Sequence, residues 1–324
     1  GRLGGVLEGN MAPTVAGLLE GSAFLAARVQ LKMDEEFRTF THELLDQLMP
    51  GLLEPTPSVM TVQARVPAED PDIVTGVHFE PGAMIEARFV DADRRVPCRF
   101  TLCSPLSLWP VDIVTARYLT SAGQVGALGQ EIADGTRAGL FLDLGRIGFG
   151  GQIDDSEPLT ELTADSLVFR LAAPMDEAVA LYEQLFCDRL RVSLRWQDTL
   201  GDDVFVTVPS DALQQIGLES GESLLPHDPR LFRGFGLLRD AFLYPRQYLG
   251  FRLTGLRDLW PRIPTARIQV IVEFETVNQK LASQFDEDDV VMHAVPAVNL
   301  FEESAAPIRT DGSRHEHIVT PLPS

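Results

Sequence analysis

Cysteine is scarce in this sequence, and so are the segments that mark secreted or membrane proteins. Cys98, Cys103 and Cys187 are the only cysteines among 324 residues. This odd and sparse set cannot form the disulfide framework of a secreted domain and fits a reducing compartment. No apolar run approaches the ~20 residues that a membrane helix needs, and GRLGGVLEGN at the start lacks the basic and apolar blocks of a signal peptide. These absences predict a cytoplasmic protein without direct membrane insertion.

Basic residues are few relative to acidic ones. The 27 lysines and arginines against 47 aspartates and glutamates give a net charge of −20, which repels a phosphate backbone and anionic lipid surfaces. We therefore predict that the protein does not bind nucleic acid through its whole surface. A local basic patch in residues 230–257 stays open, although Asp240 and Asp258 interrupt its arginines.

The motifs that carry catalysis or cofactor binding are missing. Residues 145–151 are rich in glycine and follow an apolar run, but no Lys-Ser or Lys-Thr follows them, and DDSEP places carboxylates where a phosphate would bind. No G-x-S-x-G nucleophile motif occurs, and Ser220 in LESGES lies in a polar stretch. We predict no enzyme activity and no cofactor, and interpret residues 145–151 as a flexible turn between strands.

Candidate metal ligands lack the necessary spacing. Cys98 and Cys103 would point to opposite faces of a strand, and they are interpreted as two half-buried structural thiols. His315 and His317 could share a face, but no third ligand is near. The acidic run 286–289 lacks the glycine and the closing glutamate of a calcium loop, so we expect a solvated loop there. No metal site is predicted.

Two apolar stripes at helical spacing dominate the first sixty residues. The first contains Leu18, Leu25 and Val29, and the second begins at Phe37 after the acidic run 34–36, which suits the start of a second helix. Pro50 then stops the helical pattern. The sequence predicts a helical hairpin, whose apolar stripe could pack on its own domain or bind a partner.

Aromatic residues gather in a second stretch, between positions 232 and 251. Its members are Phe232, Phe235, Phe242, Tyr244, Tyr248 and Phe251. This cluster could be core or interface, and the pattern alone leaves both readings open. We name Phe232, Phe235, Phe242 and Tyr244, with Leu18, Leu25, Val29 and Phe37, as candidate partner-interface residues.

The remaining pattern predicts an α+β fold weighted towards strands. Helices are expected from Pro174 onward and over residues 233–245, a hairpin is expected at TLGDD, and residues 121–137 are expected to form a loop or flexible insertion. With 45% hydrophobic residues the chain can build real cores. We expect three parts: an N-terminal helical arm at 1–57, a strand-rich α+β domain at 58–215, and a second strand-rich domain at 216–324.

Four phrases of the sequence resemble one known family. They are residues 18–37 running into 48–60, residues 95–118, residues 224–256 and residues 293–321. In this order they are similar to phrases of the TssF (ImpG, VasA) family of the bacterial type VI secretion system, with weaker similarity from about 120 to 215. The resemblance implies that both ends of the chain are cut relative to the family, and that its mixed domains are of baseplate-wedge type.

The resemblance implies a structural role rather than a catalytic one. TssF-like subunits resemble baseplate wedge proteins of contractile tails, so it implies an assembly scaffold for effector delivery. The implied partners are TssG, TssK, TssE, the VgrG spike and a second TssF copy. The implied location is the cytoplasm, with recruitment to the inner-membrane-anchored secretion complex.

Two alternatives stay open at this point. One is a wedge scaffold of another contractile injection machine or of a phage tail, which residue chemistry does not distinguish from a type VI component. The other is an enzyme with an unrecognised site, which a deep pocket lined by convergent polar groups would support.

Overall fold

The computed structural model describes residues 13–49, 51–67, 70–87, 98–227, 230–310 and 317–322. It divides into two compact units, Gly1–Thr56 and Pro57–Ser324. Strands outweigh helices in the second unit, so the fold is α+β as predicted.

The first unit contains one continuous helix, α1, over Pro13–Leu48 (36 residues). The predicted helical hairpin is therefore wrong. No glycine or proline interrupts residues 22–48, and the acidic run is held within the helix, since Gln30 Nε2 donates to Asp34 Oδ1 at 3.0 Å and Lys32 pairs with Glu36 one turn later. In a straight helix of 3.6 residues per turn, the second apolar stripe lies roughly 70° around the axis from the first. This rotation, rather than a break, separates the two stripes.

The second unit is built from fifteen strands and four helices among the described residues. The strands are β1 Val59–Gln63, β2 Val77–Phe79, β3 Met84–Ala87, β4 Cys98–Leu102, β5 Leu106–Leu108, β6 Val111–Leu119, β7 Ala138–Arg146, β8 Ser166–Leu171, β9 Arg189–Gln197, β10 Asp203–Thr207, β11 Leu213–Gln215, β12 Gly250–Thr254, β13 Arg267–Phe274, β14 Val290–Met292 and β15 Ala294–Val298. The helices are α2 Ala122–Gly126, α3 Met175–Cys187, α4 Arg233–Leu243 and α5 Gln279–Gln284.

These strands form four antiparallel sheets. A five-stranded sheet has the order β10-β9-β13-β7-β6, two four-stranded sheets have the orders β1-β15-β4-β3 and β11-β12-β8-β14, and β2 pairs with β5. Strand β13 lies between β7 and β9, and β12 pairs with both β8 and β11. Strands that precede residue 216 therefore pair with strands that follow it. Pro57–Ser324 form one compact unit, whereas two strand-rich domains, 58–215 and 216–324, were expected.

The main core lies on the five-stranded sheet and the inner face of the sheet that contains β8. Every residue of β7 is buried, and Phe169 and Phe251 stack across β8 and β12 with ring centroids 4.8 Å apart. The buried Trp260 donates from Nε1 to the carbonyl oxygen of Ala164 at 2.6 Å. This core supplies the rigid platform on which the surface elements lie.

Local signals predicted several elements correctly. Helices α3 and α4 form where they were expected, and β9 and β10 make the predicted hairpin, with Gly201 at a φ of 86° in its turn. The acidic run 286–289 is exposed at three of its four residues, as expected, but it forms a short 3₁₀ turn rather than an open loop. Asp286 and Asp289 cap a short 3₁₀ turn reciprocally, and Asp289 is buried.

Residues 121–137 also differ from the expected loop or flexible insertion. Ser121 caps α2 by accepting from the backbone N–H of Gln124, and Val125 of α2 is fully buried. Further along, the buried carboxylate of Glu273 in β13 accepts from the N–H of Ala133 at 2.8 Å and from Thr136 Oγ1 at 2.7 Å. The segment is therefore fixed to the central sheet.

Candidate protein interaction surfaces

Helix α4 turns Gly236, Asp240 and Leu243 towards the protein and its phenylalanines outward. Its buried residues are Gly236 and Asp240. Asp240 has no exposed surface, and its Oδ2 accepts the backbone N–H of Leu224 at 2.9 Å. A Cβ at Gly236 would lie 3.3 Å from Nδ1 of His227, which leaves little room for a larger side chain. Leu243 on the same side of the helix packs against a small core cluster with Leu224, so α4 buries a glycine, a carboxylate and a leucine rather than its phenylalanines.

The outward side of α4 carries a row of apolar side chains. Phe235, Leu238 and Phe242 recur at helical spacing with exposed fractions of 37%, 54% and 84%, and Phe232 just before the helix is 73% exposed. The rings of Phe232 and Phe235 meet edge to face with centroids 5.6 Å apart. We call Phe232, Phe235, Leu238 and Phe242 the aromatic ridge. Covering one phenylalanine contributes about 1.5–3 kcal/mol, so this ridge favours contact with another apolar surface.

Tyr244 does not belong to the ridge. It is half-buried and packs near Cys103, Leu224 and Val298. Its hydroxyl lies 2.7 Å from Thr61 Oγ1, which links α4 to β1. Leu238 is the ridge member that the sequence analysis missed, because a leucine next to another leucine in a helix is typical of core.

Helix α1 presents the other group of candidate residues. Leu18, Leu25, Val29 and Phe37 are each at least 60% exposed: 76%, 63%, 60% and 72% in that order. An amphipathic helix gains most of its stability from packing its apolar face, so such a helix is marginal without a partner. The exposed stripes of α1 therefore form a second candidate surface.

The described residues offer little to reaction chemistry. They contain no group of three or more histidine, cysteine, aspartate or glutamate side chains that could hold a metal ion. Burial raises the pKa of the Cys103 thiol to about 12, so it stays protonated and is a poor nucleophile. Cys98 and Cys187 are free and exposed, so Cys98 is not the half-buried thiol that was expected. Of the two histidines suggested as ligands, His315 lies outside the described residues.

The glycine-rich segment 145–151 is a turn packed against a carboxylate. Ile147 and Ile153 form an isolated antiparallel bridge across it. A Cβ at Gly148 would lie 2.5 Å from Cβ of Asp154, so glycine is required there for packing. The Asp154 side chain therefore lies directly against Gly148.

Replacing Asp240 with asparagine is expected to raise the free energy of unfolding at pH 7. Burial raises the pKa of Asp240 above its ordinary value of 3.8, more strongly than the Leu224 amide and Arg239 lower it. The ionised carboxylate therefore destabilises the folded state, and asparagine can still accept the Leu224 N–H. The carboxyl is protonated in both folded and unfolded chains below pH 3.8, so the advantage should disappear there.

Urea unfolding of both proteins across this pH range tests the effect. Arg239 lies next to Asp240, with Nε 3.5 Å from Oδ1, and His227 and Cys103 also face it. A variant that is less stable than the wild type at pH 7 would show that the ion pair with Arg239 outweighs the cost of burial.

Among the described residues, none of the helices combines the length and apolar character that crossing a bilayer requires.

Comparison with known proteins places these surfaces in context. The whole chain, residues 1–324, matches the family described as "Type VI secretion system, TssF". It is 32% identical over 307 residues to "Type VI secretion system component TssF1" of Pseudomonas aeruginosa, covering 95% of this chain and 48% of that protein. The chain thus spans about half the length of the curated relative that it matches.

The fold is also similar to a solved structure. The match has a TM-score of 0.66 and 20% identity, and covers 95% of this chain and 53% of the other. That structure is described as the type VI secretion system TssK-TssF-TssG baseplate subcomplex, determined by cryo-electron microscopy. The family model matches all 324 residues, and this chain therefore belongs to the TssF family of the type VI secretion system.

Proposed function

We propose that the chain is part of a baseplate wedge component of a type VI secretion system and acts as an assembly scaffold through protein–protein contacts. The observation that carries the proposal is the aromatic ridge, because α4 leaves its phenylalanines uncovered. Exposed apolar groups in a continuous row are typical of interaction sites. The role is structural rather than enzymatic.

TssG and TssK are the proposed direct partners. The similar solved structure is a complex of TssK, TssF and TssG, and this supports a corresponding assembly for the present protein. TssE, the VgrG spike and a second TssF copy are proposed as further neighbours in the wedge. We propose that assembly takes place in the cytoplasm, with recruitment of the wedge to the inner-membrane-anchored secretion complex for effector delivery.

Affinity purification tests this function. A tagged copy of the full gene, expressed in its native cells, should enrich TssG and TssK over a tag-only control when the eluate is measured by mass spectrometry. The expected result is recovery of both partners at amounts comparable to the tagged protein. Recovery of neither partner from cells that express both would contradict the proposal.

A further inference from the structure

Strand β10 ends the five-stranded sheet and leaves one edge without a neighbouring strand. It runs antiparallel to β9 over Asp203–Thr207, and β9 is its only strand partner within the described residues. The strand at the other end of this sheet, β6, is partly covered, since the carbonyl oxygen of Val111 lies 2.8 Å from Nε2 of His293. The β10 edge is therefore the more open end of the sheet.

The hydrogen-bond pattern shows which backbone groups of β10 point away from β9. The N–H of Asp198 donates to the carbonyl oxygen of Asp202 at 2.9 Å, and the N–H of Val208 donates to that of Val192 at 3.0 Å. Bonded and non-bonded residues alternate along an antiparallel pair, so the even-numbered residues of β10 bond to β9. The residues that point outward are Asp203, Phe205 and Thr207. Within the described part of the chain, their N–H and C=O groups have no hydrogen-bond partner.

Strand β10 also lacks the features that normally protect a strand edge. Natural edges often carry prolines, lysines or bulges that prevent pairing with another chain. The register between β9 and β10 is regular, and DVFVT contains neither proline nor lysine. Its one charged side chain, Asp203, is paired with Arg195, with Oδ2 2.7 Å from Nη2. This edge can therefore accept a further strand.

The sequence of β10 is complementary to itself in one antiparallel register. A second β10 that is centred on Phe205 places Phe205 opposite Phe205 and Asp203 opposite Thr207. Each of these pairs exchanges two hydrogen bonds, so every outward N–H and C=O group of both strands is bonded. Val204 then lies opposite Val206, and the hydroxyl of Thr207 can donate to the carboxylate of Asp203. No pair in this register sets like charges against each other.

The side chains of β10 can continue apolar contacts across such a junction. Val204 and Val206 pack against the main core. Phe205 points to the other face of the sheet and packs with Leu128 and Ile132. In a pair with two-fold symmetry, each face of one sheet meets the same face of the other. Apolar contacts on both faces would therefore add to the backbone hydrogen bonds.

We propose that β10 pairs with β10 of a second copy of this chain, antiparallel about Phe205, so that two five-stranded sheets join. The inference rests on the proposed function for a second TssF copy as a neighbour, and it assigns that contact to one strand. Two five-residue strands bury less than the ~1,600 Å² of a standard interface, and two chains of net charge −20 repel each other. The free dimer should be weak and should tighten with salt. A wedge that holds two copies close together would raise their effective concentration.

Sedimentation and amide hydrogen exchange of the full chain test the pairing. Protein concentration is raised to about 1 mM, the effective concentration that a short tether provides, at low and at high sodium chloride. We expect a monomer–dimer equilibrium that shifts towards dimer in high salt. Exchange of the Phe205 amide should slow as the dimer forms. The Val204 amide already bonds to β9, and its exchange should not depend on concentration.

Charge variants of Thr207 make the test specific, because α1 and the aromatic ridge could also associate. Thr207 is exposed, so its replacement should leave the fold intact. Thr207→Glu would face Asp203 of the second copy and should weaken the dimer about tenfold, whereas Thr207→Lys should dimerise at least as tightly as the wild type. Thr163 is an exposed threonine outside β10. Thr163→Glu and Thr163→Lys control for net charge and should both dimerise like the wild type.

A chain that stays monomeric over this range would overturn the proposal, as would dimers of equal affinity in Thr207→Glu and Thr207→Lys. If the monomeric chain loses capture of TssG or TssK in Thr207→Glu, the edge binds a strand of that partner, and pairing with a second copy is wrong. Capture of TssG and TssK by the wild type is measured separately. Failure of the β10 pairing is thus distinguishable from failure of the proposed function.

Discussion

Replacement of Phe242 with serine is expected to weaken capture of the partner subunits about 30-fold, which corresponds to the ~2 kcal/mol typical of an interface hot spot. Phe242 is the most exposed member of the aromatic ridge, at 84%. Truncating it removes little packing from the free chain, so the free energy of unfolding should change by less than about 1 kcal/mol. The measurement compares partner affinity with urea unfolding of the same variant.

Leu200 supplies a matched control for this variant. It is also 84% exposed, in the turn between β9 and β10, and it lies outside the ridge. Leu200→Ser removes a comparable exposed apolar group and should bind the partners with wild-type affinity. If both variants lose affinity equally, general surface hydrophobicity rather than the ridge drives association. If neither loses affinity, the ridge is not an interface.

Replacement of Glu273 with leucine is expected to lower the free energy of unfolding by about 3–5 kcal/mol, the usual cost of leaving a buried ion-pair partner without its counter-ion. Glu273 has no exposed surface, and Arg191 donates to its Oε1 from Nε at 2.8 Å. Gln130 donates to the same oxygen at 3.1 Å, and Ala133 and Thr136 donate to Oε2. Leucine would leave all of these donors unsatisfied.

A surface pair on the neighbouring strands is the control. Arg195 Nη2 lies 2.7 Å from Asp203 Oδ2, and the Asp203 side chain is 32% exposed. Asp203→Ala should therefore cost less than about 1 kcal/mol. Urea unfolding followed by circular dichroism measures both variants. A cost below 1 kcal/mol for Glu273→Leu would show that the donors find other acceptors, and that the 130–136 segment is not fixed by this carboxylate.

Sequence reasoning predicted the elements whose signals are local. Pro174 with acidic residues after it predicted the start of α3, and the proline after α4 predicted its end. The prediction that a second helix begins at the acidic run 34–36 was wrong. Acidic residues are favourable at a helix start, but they are also common in the exposed interior of a helix. The spacing of apolar residues shows that they share one side of a helix, but not whether that side faces the core or the solvent. It therefore could not show that α4 turns its phenylalanines outward.

The pairing of β8 with β12 was beyond sequence reasoning for a different reason. Arg170 on β8 pairs in register with Gly250 on β12, eighty positions along the chain, and no local pattern reports such a pairing. The same pairing explains Gly250, because a Cβ there would lie 2.4 Å from the carbonyl oxygen of Phe169.

The accessibility of the aromatic ridge in the assembled complex tests the central claim most directly. A cryo-electron microscopy structure of the full-length protein with TssG and TssK would measure it. We predict that Phe232, Phe235, Leu238 and Phe242 lose most of their exposed surface to a partner subunit. A complete complex in which all four side chains remain as exposed as in the free chain would contradict the proposal that α4 is a scaffold interface.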